Sequence, residues 1–180
     1  MALHTVELTR KNLHGSFSRE YEPVLTIESG DTVHFRTFDA GWHLAPFFSN
    51  EEERRKFEPR IKERDDGHAL CGPVAIRGAQ PGMTLEVHVN AIRPGAWGWT
   101  IGGCIQSQLN KRLGLLEECE LLTWTLDADA MTGRDQYGHT VALHPFMGVM
   151  GMPPDEAGIH PTSPPRFCGG NMDCKELVAG

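Results

Sequence analysis

The sequence predicts a mainly β protein with one or two short helices and long loops rich in glycine and proline. Three observations carry this prediction: several segments alternate apolar and polar residues, glycine and proline number 20 and 12, and few segments have helical periodicity. Alternating strands joined by Gly/Pro turns pack most naturally as two sheets. We therefore expect one β-sandwich-like domain over residues 1–180.

The strands are predicted from period-two patterns, in which every second residue is apolar. In Val33–Phe38, for example, Val33 and Phe35 share one face while His34 points the other way. His139–Leu143 is a candidate partner for the last predicted strand. The predicted strands are Val6–Leu8, Val24–Ile27, Val33–Phe38, Leu85–Asn90 and Leu121–Leu126.

Two segments favour short helices. In Ser49–Gly67, a cap at Ser49 or Asn50 and an acidic first turn start a helix that Pro59 interrupts, so a charged loop should follow. The segment Cys104–Leu116 is the second candidate.

Composition excludes some classes of function. The net charge is −7 and the 17 basic residues are scattered, which does not favour binding to nucleic acid or to an anionic membrane. No signal peptide is recognised, and no apolar run approaches the roughly 18 residues of a membrane span. The five cysteines lack CxxC spacing, which favours neither a disulfide framework nor a zinc knuckle. We expect a reduced, soluble, cytoplasmic protein.

The segment Gly169–Asp173 is the first candidate site. Paired glycines allow positive φ and close approach to a ligand, and Asn171 and Asp173 share a face of an extended chain. Carboxylates are ligands for hard or borderline cations. The alternative is a turn in which Asn171 and Asp173 bond local amides.

His68 is the second candidate. It follows Asp65, Asp66 and Gly67 in a loop before a strand, so a carboxylate is at hand to fix its tautomer if it binds a metal or carries a proton. The alternative is a solvated turn after the charged segment.

Three further side chains are candidates for a substrate pocket. Trp97 and Trp99 flank Gly98 and share a face, and the alternative, tryptophans that pack against a sheet, is the commoner case. His144 precedes Pro145 in an apolar loop and would line a pocket wall. A thiolate nucleophile at Cys168 or Cys174 stays open, but no base is placed beside either, and buried inert thiols are the alternative.

Several blocks together carry a resemblance to a known family, and they span nearly the whole chain. They are "SGDTVHFRTFDAGW", "LCGPVAIRGAQPGMTLEVHV", "GAWGWT", "PFMGVMGMPP" and "PPRFCGGNMDCKELVAG". In this order they resemble the acetamidase/formamidase family. The resemblance implies a mostly β fold that hydrolyses a small linear amide, of the formamide or acetamide type, to a carboxylic acid and ammonia.

The resemblance also implies a divalent metal, zinc or alternatively calcium. Asp173 and His68 would help to bind it, and a metal would activate water and polarise the amide. Asn171 would donate to the developing oxyanion. Trp97, Trp99 and His144 would contact the substrate.

Family members usually continue past "ELVAG", so the domain is expected to be incomplete at its C-terminus. Leu177–Ala179 has the character of a segment entering a strand, and an exposed apolar patch should border it. The alternative function is therefore a catalytically incomplete fragment or subunit. Its partner would be a further copy in a homo-oligomer, or a second chain that supplies the missing part.

Overall fold

Short strands dominate the fold. The computed structural model describes residues 1–46, 55–103, 106–117 and 119–180. Within these ranges one α-helix, α1, spans Gln108–Leu113, and a 3-10 turn spans Arg10–Asn12. The strands are β1 (Leu3–Val6), β2 (Leu13–His14), β3 (Ser16–Phe17), β4 (Leu25–Ile27), β5 (Thr32–Phe35), β6 (Leu70–Cys71), β7 (Val74–Ile76), β8 (Trp97–Gly103), β9 (Cys119–Asp127), β10 (Thr132–Asp135), β11 (Thr140–Ala142), β12 (Val149–Gly151), β13 (His160–Pro161) and β14 (Gly169–Asn171).

The chain divides into two compact units. The first unit pairs its strands two at a time: β1 with β5 and β4 with β7 in parallel, and β2 with β6, β3 with β13 and β12 with β14 antiparallel. Its segments are Met1–Leu44, Arg55–His88 and Met147–Leu177. Its buried apolar side chains are Val6, Leu13, Phe17, Trp42 and Cys168.

The second unit is an antiparallel meander. Its strands lie in the order β11, β10, β9, β8, and the longest pairing runs from Trp97 opposite Thr125 to Gly103 opposite Cys119. Helix α1 begins after Ser107, whose hydroxyl accepts a hydrogen bond of 3.1 Å from the Asn110 N–H. The unit comprises Ala45–Arg54, Val89–Phe146 and Val178–Gly180.

The mainly β prediction is confirmed, and most predicted strands are present. Strands β1, β4, β5 and β9 overlap the segments that begin at Val6, Val24, Val33 and Leu121. The candidate His139–Leu143 contains β11, but β11 pairs with β10 and not with β9, so the predicted partner is wrong. The predicted sandwich packing and the single domain stay predictions.

The predicted strand Leu85–Asn90 is wrong. These residues are not in a strand, and Leu85 and Val87 are 42% and 52% exposed. Alternation predicts which side chains share a face, whereas a strand also needs a hydrogen-bonded neighbour. No described strand pairs with this segment.

The two predicted helices have different outcomes. Helix α1 confirms the one in Cys104–Leu116. The start of the one in Ser49–Gly67 lies outside the described residues, and its described part, residues 55–67, is the expected non-helical charged loop. No helix in the described portion of the chain is long and apolar enough to cross a membrane.

The expectation of reduced cysteines is wrong for Cys119, which is disulfide-bonded. Cys71, Cys168 and Cys174 are free thiols. Sequence spacing does not decide which cysteines meet, because a disulfide requires a specific distance and orientation in space.

The segment Leu177–Ala179 is not in a strand, contrary to the character predicted for it. Leu177 is half-buried and donates its N–H to the Cys174 carbonyl at 3.1 Å, which closes a turn. Val178 is 40% exposed and Ala179 is exposed, and the apolar patch expected beside them stays a prediction.

Candidate active site

A polar pocket of about 240 Å³ lies in the first unit, where three segments distant in sequence meet. The segments are the loop that follows β5, the charged loop before β6, and the residues after β13. The pocket combines cationic, acidic, imidazole and hydroxyl groups. Its lining residues are Ala40, Gly41, Trp42, Lys56, Arg60, Asp66, Gly67, His68 and Ser163.

The first segment is a tight turn organised by Asp39. Its Oδ2 accepts a hydrogen bond from the Gly41 N–H at 2.9 Å and lies 2.6 Å from Nδ1 of the buried His43. Short polar side chains commonly organise turns through such local bonds. The turn places Trp42 at φ 68°, and the Trp42 side chain is buried.

Trp42 ties this turn to the charged loop. Its Nε1–H donates to the Gly67 carbonyl at 2.7 Å, and the Phe57 N–H donates to the Trp42 carbonyl at 2.9 Å. The Arg60 guanidinium lies 5.9 Å from the centre of the Trp42 ring, within the range of a cation–π contact. Trp42 therefore forms the floor of the pocket and also sets the position of Gly67.

Asp65 anchors the charged loop from below. Its side chain is fully buried and accepts hydrogen bonds from the Arg10 guanidinium, from Arg64 Nε at 3.0 Å and from the Ile61 N–H at 2.8 Å. A buried carboxylate is stable only when it is paired and hydrogen-bonded in this way. These hydrogen bonds hold the loop in place where it enters the pocket.

The buried cluster beneath the loop also contains His14. Burial and the positive charge of Arg64 lower the pKa of His14 to about 4, from an ordinary value of 6.5. The ring packs edge-on against Tyr21, with 5.5 Å between the ring centres. His14 is therefore neutral at pH 7.

Gly67 is required by the close approach of three chain segments. A Cβ atom at this position would lie 2.5 Å from the Gly15 carbonyl oxygen and would also collide with the Thr162 hydroxyl. The Gly67 N–H donates to that same Gly15 carbonyl at 2.9 Å. Only glycine fits here.

His68 follows Gly67 and is held by Thr162. The Thr162 hydroxyl oxygen accepts the His68 backbone N–H at 2.9 Å and lies 2.7 Å from Nδ1 of the His68 ring. Thr162 is completely buried, whereas His68 is half-buried and lines the pocket. Of the predicted site residues, His68 is the one that lines this pocket.

Asn171 and Asp173 come directly after a point where the backbones of β12 and β14 are tightly packed against each other. Gly169 of β14 lies opposite Gly151 of β12, and a Cβ on Gly169 would lie 2.7 Å from the Gly151 Cα. Gly169 also has φ 97°, a conformation that favours glycine. Close packing therefore explains the glycine pair without a ligand.

Asp173 is exposed, lies just after β14 and has a φ of 45°. Its N–H and that of Met172 both donate to the Gly148 carbonyl, at 3.1 and 3.0 Å. Neither Asp173 nor the half-buried Asn171 is among the residues that line the His68 pocket. The site roles predicted for these two residues stay predictions.

The three predicted substrate contacts lie in the second unit. Trp97 and Trp99 are half-buried on β8, opposite Thr125 and Thr123 of β9. His144 is exposed in the loop after β11. Their predicted role in substrate binding stays a prediction.

Sequence reasoning missed Thr162, Trp42, Lys56 and Ser163 as site residues. Trp42 lies in the segment "FDAGW", which is part of the family resemblance, and its position next to Gly41 could have indicated a turn at the site. Nothing in the sequence marks Thr162, because its partner His68 is 94 residues away.

The described residues do not by themselves fit a complete metal site. Structural and catalytic zinc sites use three or four protein ligands, and no three His, Cys, Asp or Glu side chains converge in the described part of the chain. No catalytic step is therefore derived through a metal.

The family model and the solved structures point to the same family. A family model described as the Acetamidase/Formamidase family matches residues 4–161. The chain is similar to the crystal structure of an acetamidase from Bacillus halodurans, with 23% identity and a TM-score of 0.72, covering 100% of this chain and 55% of that one. No curated protein matches the chain.

Two further solved structures share the fold. For a predicted acetamidase/formamidase from Thermoanaerobacter tengcongensis the identity is 22% and the TM-score 0.74, with 100% of this chain and 55% of that chain covered. For a gamma lactamase from Delftia acidovorans the identity is 18% and the TM-score 0.67, with coverages of 98% and 56%. The chain thus spans about half the length of the structures it resembles.

Proposed function

Because the chain belongs to the Acetamidase/Formamidase family, we propose that it hydrolyses a small linear amide of the formamide or acetamide type. The products are a carboxylic acid and ammonia. The observation that carries the proposal is the polar pocket around His68, whose volume of about 240 Å³ suits a small molecule.

Amide hydrolysis needs a polarised carbonyl, an activated water and a protonated leaving amine. The pocket offers a candidate group for each requirement. Lys56 and Arg60 offer positive charge to the developing oxyanion, and the ring N–H of His68 offers it a hydrogen bond. The exposed carboxylate of Asp66 is the candidate base that takes a proton from water and then returns it to the leaving nitrogen. Ser163 supplies a hydroxyl to orient the substrate amide.

The predicted site residues that do not line this pocket keep the roles expected from the sequence. Asp173 is an exposed carboxylate and stays a candidate ligand for a divalent metal, zinc or calcium, although no three His, Cys, Asp or Glu side chains converge in the described part of the chain. Such a metal, when bound, would supply Lewis acidity. Asn171 stays the candidate oxyanion donor, and Trp97, Trp99 and His144 stay candidate substrate contacts.

The test is ammonia release from formamide and acetamide by the purified chain. His68→Leu, which has no side-chain donor, should lower the rate about 100-fold, the usual effect of removing one oxyanion donor. His34→Leu is the matched control, because His34 is exposed on β5 and does not line the pocket. Equal activity of the two variants would contradict the role of His68. Assays with and without a chelator, with the metal content of Asp173→Asn, test the metal separately.

A second candidate function is a subunit that is active only in an assembly. Exposed apolar side chains in the first unit favour it, including Leu3 at 72%, Met83 at 63% and Phe167 at 96% exposure. Light scattering of the purified sample gives its mass. A strictly monomeric chain that hydrolyses amides would exclude this candidate.

A further inference from the structure

The buried contact between Thr162 and His68 has only one arrangement of protons that satisfies every polar atom. The Thr162 oxygen already accepts the His68 backbone N–H at 2.9 Å, and it lies 2.7 Å from the ring Nδ1. The second contact has either Nδ1 or the hydroxyl as its donor. The choice between them sets the tautomer of His68.

If Nδ1 were the donor, the Thr162 oxygen would accept two hydrogen bonds and its own O–H would need a different acceptor. Thr162 is 0% exposed, so water does not serve. Among residues 1–46, 55–103, 106–117 and 119–180, the structure shows no other partner for this hydroxyl. A buried O–H without an acceptor is strongly unfavourable. The hydroxyl therefore donates to Nδ1.

We propose that Thr162 is a positioning residue that holds His68 in the tautomer with its proton on Nε2. Nδ1 then has no proton, and Nε2, on the other side of the ring, is a hydrogen-bond donor for a ligand in the pocket that His68 lines. No described residue is hydrogen-bonded to Nε2.

The position of the ring proton decides whether His68 can be a metal ligand or a hydrogen-bond donor in the pocket. A neutral histidine binds a metal through the nitrogen that lacks a proton, which here is Nδ1, and Thr162 occupies that nitrogen. The ring therefore serves as a donor and not as a metal ligand. Its expected acceptor is a carbonyl oxygen such as that of a small amide, and this assignment of the substrate rests on the proposed function.

The tautomer is measurable by NMR on the full chain labelled with ¹⁵N, using long-range ¹H–¹⁵N correlations of the imidazoles. The signals of His68 are those that disappear in His68→Gln. We expect an unprotonated Nδ1 and a protonated Nε2 in the wild type. A protonated Nδ1 with an unprotonated Nε2 would overturn the proposal, and this spectrum requires no variant of Thr162.

Two variants test the part played by Thr162. Thr162→Ser keeps the hydroxyl and should keep the wild-type pattern. Thr162→Val removes the hydroxyl with little change in shape. In this variant His68 should lose its preference for a proton on Nε2. An unchanged pattern in a folded Thr162→Val would overturn the assignment; if that variant does not fold, the wild-type and serine spectra decide.

The response of the His68 NMR signals to added zinc ions is an independent test. Added Zn²⁺ should leave the Nε2–H pattern of His68 unchanged, and zinc bound at Nε2 with a proton on Nδ1 would overturn the proposal. The amide assay keeps the two hypotheses separate. A chain with the expected tautomer that does not hydrolyse any small amide contradicts the proposed function alone.

Discussion

The two glycine-containing segments that carry the candidate residues are fixed in different ways. The loop before His68 is held by side chains, namely the buried Asp65 carboxylate, the Trp42 indole and the Thr162 hydroxyl. The segment before Asp173 is held by backbone packed against backbone at Gly151 and Gly169. Side-chain anchoring fixes the His68 ring at a pocket, whereas backbone anchoring leaves Asp173 exposed.

The largest effect is expected from a side chain placed where the backbones of β12 and β14 are tightly packed. Gly169→Ala should lower the free energy of unfolding by about 3 kcal/mol, because the new methyl group collides with the Met150 carbonyl and the residue has φ 97°. Chemical denaturation measures the change.

Gly158→Ala is the matched control for this substitution. Gly158 has φ 96°, but no atom lies within 4 Å of the place that a methyl group would take, so only the backbone conformation is penalised. Its cost should be roughly 1 kcal/mol. Equal losses of unfolding free energy at Gly158 and Gly169 would show that the backbones of β12 and β14 are not tightly packed at Gly169.

Removing the charge of Asp65 should cost nearly as much. Asp65→Asn leaves Arg10 and Arg64 without their carboxylate and is expected to lower the free energy of unfolding by about 3 kcal/mol. Asp66→Asn, one residue further and exposed, should change it by less than about 0.5 kcal/mol. If both variants unfold at the same denaturant concentration, the loop does not depend on its buried anchor.

The free energy of unfolding should also decrease as the pH is lowered, because of His14, which lies beneath the same loop. The unfolded chain takes up a proton at its ordinary pKa of 6.5 and the folded chain only near pH 4, so stability is lost as the pH falls through this window. Between pH 7 and pH 5 the expected loss is about 2 kcal/mol. His14→Gln should flatten this dependence, and a slope equal to that of the wild type would exclude His14 as its cause.

The smallest effect on stability is expected at Asp173. Asp173→Asn should change the free energy of unfolding by less than about 0.5 kcal/mol, because the side chain is exposed and asparagine tolerates a positive φ. The same variant should lower the content of any bound divalent metal, measured by elemental analysis. A large loss of stability would show that the carboxylate has a structural role in the segment after β14.

Local pattern predicts the strands and the helix that depend on local chemistry. Helix α1 has its cap at Ser107, and in β9 the apolar residues Leu122, Trp124 and Leu126 alternate with threonines, so both elements are predictable from neighbouring residues. The segment Leu85–Asn90 has the same alternation but no paired neighbour among the described strands, and pairing is a property of the whole fold.

The candidate site is predictable only in part for the same reason. His68 is recognisable because charged residues and a glycine surround it in sequence. Its buried partner Thr162 and the partner Arg10 of Asp65 lie 94 and 55 residues away from the groups that they bind. No spacing rule connects residues at such separations.

The distance along the chain between His68 and Thr162 also determines when the pocket forms. A ribosome adds about 5–20 residues per second, so the 94 residues between them take roughly 5–20 s to synthesise. During that interval the His68 ring has no Thr162 hydroxyl to bind, and the charged loop has only its earlier partners Arg10, Gly15 and Trp42. The pocket is thus completed only after Thr162 has been made, on a loop whose anchor residues already exist.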